Sequence, residues 1–348
     1  KRVVSSRNES KGAAYRAEFR PIVRRDGGTL VIDVHRPEGK DKQRPKHVKQ
    51  ASVDFKITVP SRLASGDAAD HGPALHARTG HGDVGVKHVE PDTVSVSTGH
   101  GDVALSHVTG DIELHTGHGD VAVTDSDVGL LNARTGHGDI VGADVRGSAT
   151  IHTGHGDVRL ARVEGGVEVR TGHGEIDLED CAGAVTLHTG HGDLAIAKGN
   201  LDSLNAQSGS GDITAEFDAA TGAIYLKTGK GDLALRANGA ETVSAHSGRG
   251  DIDAYIEGEV AEAVTLNTSH GDVSVKAASV ATLTARSGNG SVRVGAVQVD
   301  GLLDAKTGNG DIGVIAEDVG ELTAHSGSGI VEAVIVVTDG RAELTSGN

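Results

Sequence analysis

A five-residue phrase recurs along this chain and constrains its fold more than any other feature. In its commonest form the phrase reads Thr-Gly-His-Gly-Asp, and alternating apolar residues follow it, as in residues 98–105. Successive copies start 18 to 21 residues apart. A short fixed period predicts a repeat protein whose units stack on their neighbours. The copies begin at Thr79, Thr98, Thr116, Thr135, Thr153, Thr171, Thr189, Ser208, Thr228, Ser247, Thr268, Ser287, Thr307 and Ser326, with an incomplete copy at Ser346.

The residues between the copies alternate with a period of two. Val94 and Val96 are separated by serine before one copy, and Val103 and Leu105 are separated by alanine after it. This alternation is typical of a strand with one buried face. Each repeat holds two such strands and two glycine corners, which leaves no room for a helix. The sequence therefore predicts an all-β fold, a parallel β-solenoid of about 14 coils.

The charge distribution divides the chain into a head and a repeat region. Residues 1–62 carry 16 Lys and Arg against 7 Asp and Glu, a net charge of 16 − 7 = +9, although the whole chain has a net charge of −16. We expect residues 1–73 to form a basic N-terminal arm and a small β cap, and residues 74–348 to form the solenoid. A cap of this kind covers one end of the stacked core.

Three segments of the head alternate between apolar and polar residues and predict strands, at residues 15–23, 29–34 and 53–59. The charged segment at residues 36–49 predicts a loop between the second and the third. Residues 1–12 are mostly polar and by themselves predict an arm without a fold of its own.

The head and the coils together resemble a known family. Residues 28–34 read Gly-Thr-Leu-Val-Ile-Asp-Val, residues 53–60 read Val-Asp-Phe-Lys-Ile-Thr-Val-Pro, and Gly-x-Gly-Asp coils follow. This order is similar to that of the DUF4097 family of adhesin-like β-strand repeat proteins, over about residues 15–345. The resemblance implies a β-strand repeat fold in a bacterial or archaeal protein associated with the cell envelope.

Two positions of the phrase carry side chains that bind metals in other proteins. Equal positions of stacked coils lie one strand spacing apart, so the histidines and carboxylates form two neighbouring columns. Imidazole and carboxylate groups are ligands for Zn²⁺ and similar ions, which makes divalent metal ions the candidate cofactor. The candidate ligands are His81, His100, His118, His137, His155, His173, His191, Asp83, Asp102, Asp120, Asp139, Asp157 and Asp193.

A second interpretation of the same columns needs no metal. The carboxylates can accept backbone N–H bonds in the corners while the imidazoles stack at the tips. The run of histidines ends at His191, whereas the carboxylates continue to Asp311. The sequence leaves both interpretations open.

Composition and repetition argue against several other classes of protein, namely enzymes, nucleic-acid-binding proteins and membrane-spanning proteins. Every polar residue of the phrase recurs at a regular interval, so no single coil carries a distinctive set of acids and bases. We therefore expect that the protein is not an enzyme. An acidic repeat region with few aromatic residues predicts no nucleic-acid partner. No apolar segment is long enough to span a membrane.

Cys181 takes a corner position that valine fills in other coils, which predicts a small core residue.

The remaining class is a structural protein. We expect an extracellular or cell-envelope solenoid that polymerises head to tail into a filament or adhesive fibre. The N-terminal arm would add to the apolar last coil of another copy, and the chain's start at Lys1 indicates a processed product. The alternatives are a monomeric adhesin or envelope-associated rod with a cell-surface or glycan partner, and a metal-binding solenoid. The predicted assembly residues are Arg2, Val3, Val4, Ile330, Val331, Val334 and Val336.

Overall fold

The computed structural model describes residues 2–6, 20–26, 29–35, 48–53, 74–338 and 340–347. The chain divides into two compact units, residues 1–155 and residues 156–348. Every regular element within the described ranges is a β-strand.

The first unit contains eleven strands. They are β1 (Arg2–Ser6), β2 (Arg20–Asp26), β3 (Thr29–His35), β4 (Val48–Val53), β5 (Ala74–His81), β6 (Val84–Val89), β7 (Thr93–His100), β8 (Val103–Val108), β9 (Asp111–His118), β10 (Val121–His137) and β11 (Ile140–His155).

The coil strands of the first unit form two parallel ladders. Strands β5, β7, β9 and β10 pair in sequence along one face of the coils. Strands β6, β8 and β10 pair along another. Val121 lies opposite Val103 of the preceding coil and opposite Ile140 of the following one. The predicted stacking of equivalent residues is confirmed, and with it the parallel β-solenoid of about 14 coils.

The head contributes two antiparallel pairs to the first unit. Strands β2 and β3 form a hairpin, and β3 continues in parallel onto β5, with Leu30 opposite Leu75. This arrangement extends the first coil's sheet, which is what a cap requires. The predicted boundary after residue 73 and the predicted strand residues 15–19 and 54–59 lie outside the described residues.

The other antiparallel pair corrects two expectations. Residues 48–49 were expected in a loop, but they belong to β4, and the predicted arm contains β1. The two strands pair over five positions, from Arg2 opposite Val53 to Ser6 opposite Val48. Backbone hydrogen bonds to a partner strand compensate for the polar composition of both segments, although the strand-like part of the arm was expected to pair with another copy and not with β4.

The second unit contains seventeen strands. They are β12 (Val158–Val163), β13 (Val167–His173), β14 (Ile176–Glu179), β15 (Gly183–His191), β16 (Leu194–Ala197), β17 (Asn200–Ser210), β18 (Ile213–Phe217), β19 (Ala219–Ala220), β20 (Ile224–Thr228), β21 (Leu233–Ala237), β22 (Ala240–Ser247), β23 (Ile252–His270), β24 (Val273–Asn289), β25 (Val292–Asn309), β26 (Ile312–Ser326), β27 (Val331–Thr338) and β28 (Ala342–Ser346).

The second unit repeats the same parallel pairing. One ladder runs through β12, β14, β16, β18 and β21, and the other runs through β13, β15, β17, β20 and β22. Both ladders continue in the long strands from β23 to β26. The last coil consists of β27 and β28, and both pair with β26.

The core of each unit is a stack of small aliphatic residues. In the first unit Val94, Val96, Ile112 and Leu114 are almost completely buried, and the same alternation recurs in the second. Cys181 is buried as predicted, and burial raises the pKa of its thiol. A thiol held in its protonated form is a weak nucleophile, so Cys181 acts as a core residue.

The second residue of the phrase is glycine in every copy but one, where it is Ser269, and most of these glycines lie very close to the preceding coil. A Cβ atom on Gly117 would lie 2.6 Å from the carbonyl oxygen of Gly99, closer than real Cβ atoms come to other atoms. Gly80 occupies the same position in the first coil, where a Cβ would meet nothing within 4 Å.

We predict that Gly117→Ala destabilises the fold and that Gly80→Ala does not. The added methyl at residue 117 forces two coils apart, at a cost of about 1 to 3 kcal/mol in the free energy of unfolding. Urea denaturation of the two variants beside the unmodified chain measures this difference. Equal unfolding midpoints for both variants would show that the close approach does not limit the fold.

Candidate functional site

The repeated phrase forms one corner of every coil, and its first residue binds the preceding coil. The Thr98 hydroxyl donates to the Gly82 carbonyl oxygen at 3.2 Å, and Thr116 donates to Gly101 at 3.1 Å. The same bond recurs in the second unit, where Ser208 donates to Gly192 at 3.0 Å. These side chains are buried from Thr98 to Ser326. Because only the hydroxyl is needed, threonine and serine alternate freely at this position.

The fourth residue of the phrase is a glycine in a conformation that other residues avoid. Gly119, for example, has a φ of +148°. A Cβ on it would also collide with the carbonyl oxygen of Gly101. Its own N–H donates to the carbonyl oxygen of His137 in the next coil at 2.9 Å. Both conformation and close packing therefore require glycine here.

The fifth residue forms a ladder of hydrogen bonds between coils. In the first unit the Asp102 Oδ1 atom accepts the backbone N–H of Asp120 at 2.9 Å, and Asp120 Oδ1 accepts that of Asp139 at 2.9 Å. The second unit repeats this bond, with Asp212 Oδ1 accepting the N–H of Asp232 at 2.8 Å. The carboxylates therefore hold neighbouring coils together at their exposed edge.

The third residue is left at the exposed tip. In the first unit the imidazole rings of His81, His100, His118, His137 and His155 stack face to face, with centroids 4.8 to 4.9 Å apart and planes within 5° of parallel. In the second unit His173 and His191 stack at 4.9 Å. The side chains lie exposed, and the ring spacing equals the spacing between adjacent strands.

The predicted metal ligands are thus brought into two neighbouring columns in each unit. The first unit holds His81, His100, His118, His137, His155, Asp83, Asp102, Asp120 and Asp139, and the second holds His173, His191, Asp157 and Asp193. Within the described residues, no group of three or more His, Cys, Asp or Glu side chains is placed to hold one metal ion. The carboxylate bonds agree with the second interpretation, and metal binding remains a prediction.

We predict that the hydrogen bond of Asp120, rather than its charge, stabilises the corner. Asp120→Ala removes the acceptor of the Asp139 N–H and should lower the free energy of unfolding by about 0.5 to 1 kcal/mol. Asp120→Asn keeps an oxygen in the same place and should remain within a few tenths of the unmodified chain. Denaturant unfolding at neutral pH compares the two. If both variants lose the same stability, the charge is what matters.

A third column was missed by the sequence analysis. Among the described residues, seven residues other than glycine have left-handed backbone conformations, with φ between 48° and 61°, in the segment that follows the phrase. Left-handed residues other than glycine cost about 1 kcal/mol each. Their types differ from coil to coil, so the sequence carries no repeated signal. They are His88, His107, Asp125 and Asp144 in the first unit, and Arg162, Asp180 and Lys198 in the second.

Asp304 is a second feature that the sequence did not reveal. Its carboxylate is buried, with 4% of the residue exposed, on strand β25. Arg286 of the preceding coil donates to Oδ2, and Lys306 Nζ lies 3.1 Å from Oδ2 and 3.0 Å from Oδ1. Only the Oδ2 contact of Lys306 has hydrogen-bond geometry. Burial by itself raises the pKa of Asp304, but the bonds and charges of Arg286 and Lys306 outweigh it and lower the pKa.

We predict that Asp304→Asn destabilises the chain at neutral pH and that the loss disappears in acid. A lowered folded-state pKa contributes stability that is complete above the unfolded pKa of about 4 and is lost as the pH falls through the folded value. Thermal melts between pH 3 and pH 7 test this. Asp300→Asn, an exposed change on the same strand, is the control. A loss that does not vary with pH would rule out the ionic contribution.

The outward face of the C-terminal coils carries an unusual number of exposed apolar side chains. Ile315 on β26 is 68% exposed and lies opposite Val334 on β27, which is 63% exposed. Val297 on β25 and Val336 on β27 are also exposed. We call these four residues the apolar patch. Earlier coils carry Tyr255, Lys276 and Gly295 in the row that leads to Ile315, so the apolar character is specific to the last coils.

The stacked coils and the repeated hydrogen-bonded corner define a structural repeat protein of the β-solenoid class. The chain matches the family described as Toastrack DUF4097 over residues 6–198 and 193–344. These ranges cover almost the whole chain, so the protein belongs to this family, and the resemblance seen in the sequence is confirmed. No curated protein and no solved structure matches the chain. The described residues include no helix that is long and apolar enough to span a membrane.

Proposed function

We propose that this protein is a structural β-solenoid that associates with further copies of itself through its C-terminal coils. The observation that carries the proposal is the apolar patch. Exposed apolar residues scattered singly over a surface need no explanation, but a contiguous group of them is typical of an interaction site. Ile315 lies opposite Val334 on the adjacent strand, and Val336 lies two residues further along the same face of β27, so these three residues are contiguous. Glu317, by contrast, lies between Val297 and Val336.

The distribution of charge favours a second copy of this chain as the partner. Residues 292–348 carry 3 Lys and Arg against 9 Asp and Glu, a net charge of 3 − 9 = −6. Residues 1–62 carry +9. The acidic surroundings of the apolar patch are therefore complementary to the basic head of another copy, and complementary charge guides two surfaces into one orientation.

A head-to-tail contact propagates as a filament wherever its rotation does not close the copies into a ring. The predicted assembly residues at the C-terminal coils agree with this, because Ile330 is 63% exposed, Val334 and Val336 belong to the apolar patch, and Val331 is half-buried. Arg2, Val3 and Val4 lie in β1, which pairs with β4 of the same chain. Exchange of β1 between copies would have to replace this pairing or use the other edge of β1.

Three further proposals accompany this one. We propose a role other than catalysis, because the hydroxyl and carboxylate groups of the phrase serve the same structural bonds in coil after coil. We also propose an extracellular or envelope location and adhesion to a cell-surface or glycan partner, which the family resemblance supports. Nucleic acid is a poor partner for a chain with a net charge of −16.

The test compares the association of two variants with that of the intact chain. Ile315→Ser, Val334→Ser and Val336→Ser together remove the apolar patch without touching the core, since all three side chains point outward. We expect the intact chain to increase in mass with concentration in sedimentation velocity. The triple variant should lower the association constant by about a hundredfold, given about 1 kcal/mol for each of the three buried apolar side chains.

The matched control replaces exposed apolar residues of the first unit. Leu130→Ser with Val141→Ser removes apolar side chains that are exposed to a lesser degree, 42% and 40%, and that lie outside the C-terminal coils, so it should leave association unchanged. Raising the salt concentration should weaken association if charge orients the contact. An intact chain that stays monomeric at high concentration and moderate salt would overturn the proposal in favour of a monomeric adhesin or envelope rod.

A further inference from the structure

The corner uses the backbone carbonyl of the third residue of the phrase, as in His137, but does not depend on the side chain at that place. The first residue supplies a buried hydroxyl, the second is glycine in all copies except that of Ser269, the fourth is always glycine, and the fifth supplies the carboxylate ladder. The second unit shows that the third place accepts other residues, since Ser210, Lys230 and Arg249 fill it. A run of histidines there is therefore not required by the fold.

The histidines of the first unit are placed side by side with their nitrogens available. The rings of His81, His100, His118 and His137 stack at 4.8 Å, and all four side chains are exposed. Their rings stack on one another and, at His137, on His155, and no hydrogen bond or ion pair joins their ring nitrogens to any described residue. Unpaired imidazole nitrogens are ligands for borderline transition-metal ions such as Zn²⁺.

We propose that neighbouring pairs of these four histidines bind Zn²⁺ or a similar transition-metal ion, with one imidazole from each of two adjacent coils. Zn–N bonds are about 2.0 to 2.1 Å long, so two nitrogens of one tetrahedral ion lie about 3.3 Å apart. Rings that start 4.8 Å apart reach this separation by small side-chain rotations, and exposed side chains rotate freely.

The stacked arrangement explains why the described residues of the first unit form no cluster of three ligands around one ion. Nitrogen lone pairs of parallel rings lie in parallel planes and do not converge, so a pair must turn toward one another to hold an ion. A ring that has turned toward one neighbour has turned away from the other. Each ring then serves one ion, and four rings bind two. Water or the free oxygen of a corner carboxylate, such as Asp102 or Asp120, completes the coordination.

Two double variants with the same composition test the requirement for adjacency. His118→Asn with His137→Asn leaves His81 beside His100. His100→Asn with His137→Asn leaves His81 and His118, which are two coils apart and have no neighbour within residues 81–137. Asparagine already occupies the same corner position at Asn289 and Asn309, so both variants should fold. Circular dichroism and thermal melts check that they do.

The measurements use the full chain with Zn²⁺ in titration calorimetry and with Co²⁺ in visible spectroscopy, where tetrahedral nitrogen coordination gives a distinct absorption. We expect the variant that retains His81 beside His100 to bind one more ion than the variant with isolated rings. Both lack His137, so the remaining histidines contribute equally to each. Chelation should return the spectrum to that of the free protein.

The outcomes separate the proposal from its alternatives. If both variants bind the same number of ions with the same affinity, single histidines bind metal adventitiously and the paired site is wrong. If the unmodified chain binds no Zn²⁺ at micromolar concentrations, the histidine column has no metal function. Only a difference of about one ion between the two variants supports the paired site.

Discussion

The close approach of successive coils at the glycine corner is the constraint on which the rest of the structure depends. Parallel strands of a solenoid must keep a spacing of about 4.8 Å through the turns as well as along the straight segments. A side chain on Gly117 would increase that spacing, because the Gly99 carbonyl oxygen occupies the space that a Cβ atom needs. The threonine hydroxyl and the aspartate carboxylate then bind across the gap that the glycines keep narrow. Each contributes about 1 kcal/mol, and their repetition in many coils fixes the register of the whole stack.

This constraint divides the phrase into four structural positions and one variable position. The structural positions contact the preceding or following coil, so a substitution at one of them alters the packing of two coils. The tip residue faces solvent, so it is histidine in the seven copies up to His191 and then varies among serine, lysine, arginine, histidine and asparagine without disturbing the fold. A solenoid of this design can carry different surface chemistry on an unchanged scaffold, which is why the fold alone does not define the function.

Much of this architecture could be predicted from the sequence, because period and alternation are properties of a single repeat. They correctly place Val121 opposite Val103, and they place the phrase threonines inside the coil. The direction of the aspartate bond could not be predicted, since an oxygen such as Asp102 Oδ1 can reach the N–H of its own turn or that of the next coil. The left-handed residues were missed because their types vary. Asp304 was missed because its partner Arg286 is adjacent only after the coils have stacked.

Because the inward-facing positions serve the fold, evidence about function must come from the outward-facing positions. In the row from Tyr255 through Lys276 and Gly295 to Ile315, the inward neighbours stay aliphatic while the outward residues change in kind. An exposed isoleucine adds nothing to the core and lowers solubility unless another surface covers it. The same reasoning applies to the stacked imidazoles of the first unit, which add no bond to their corners. The two features lie in different units, and in a solenoid each coil interacts chiefly with its nearest neighbours. Changes at the histidine column and at the apolar patch should therefore act independently, so each can be assigned its own role.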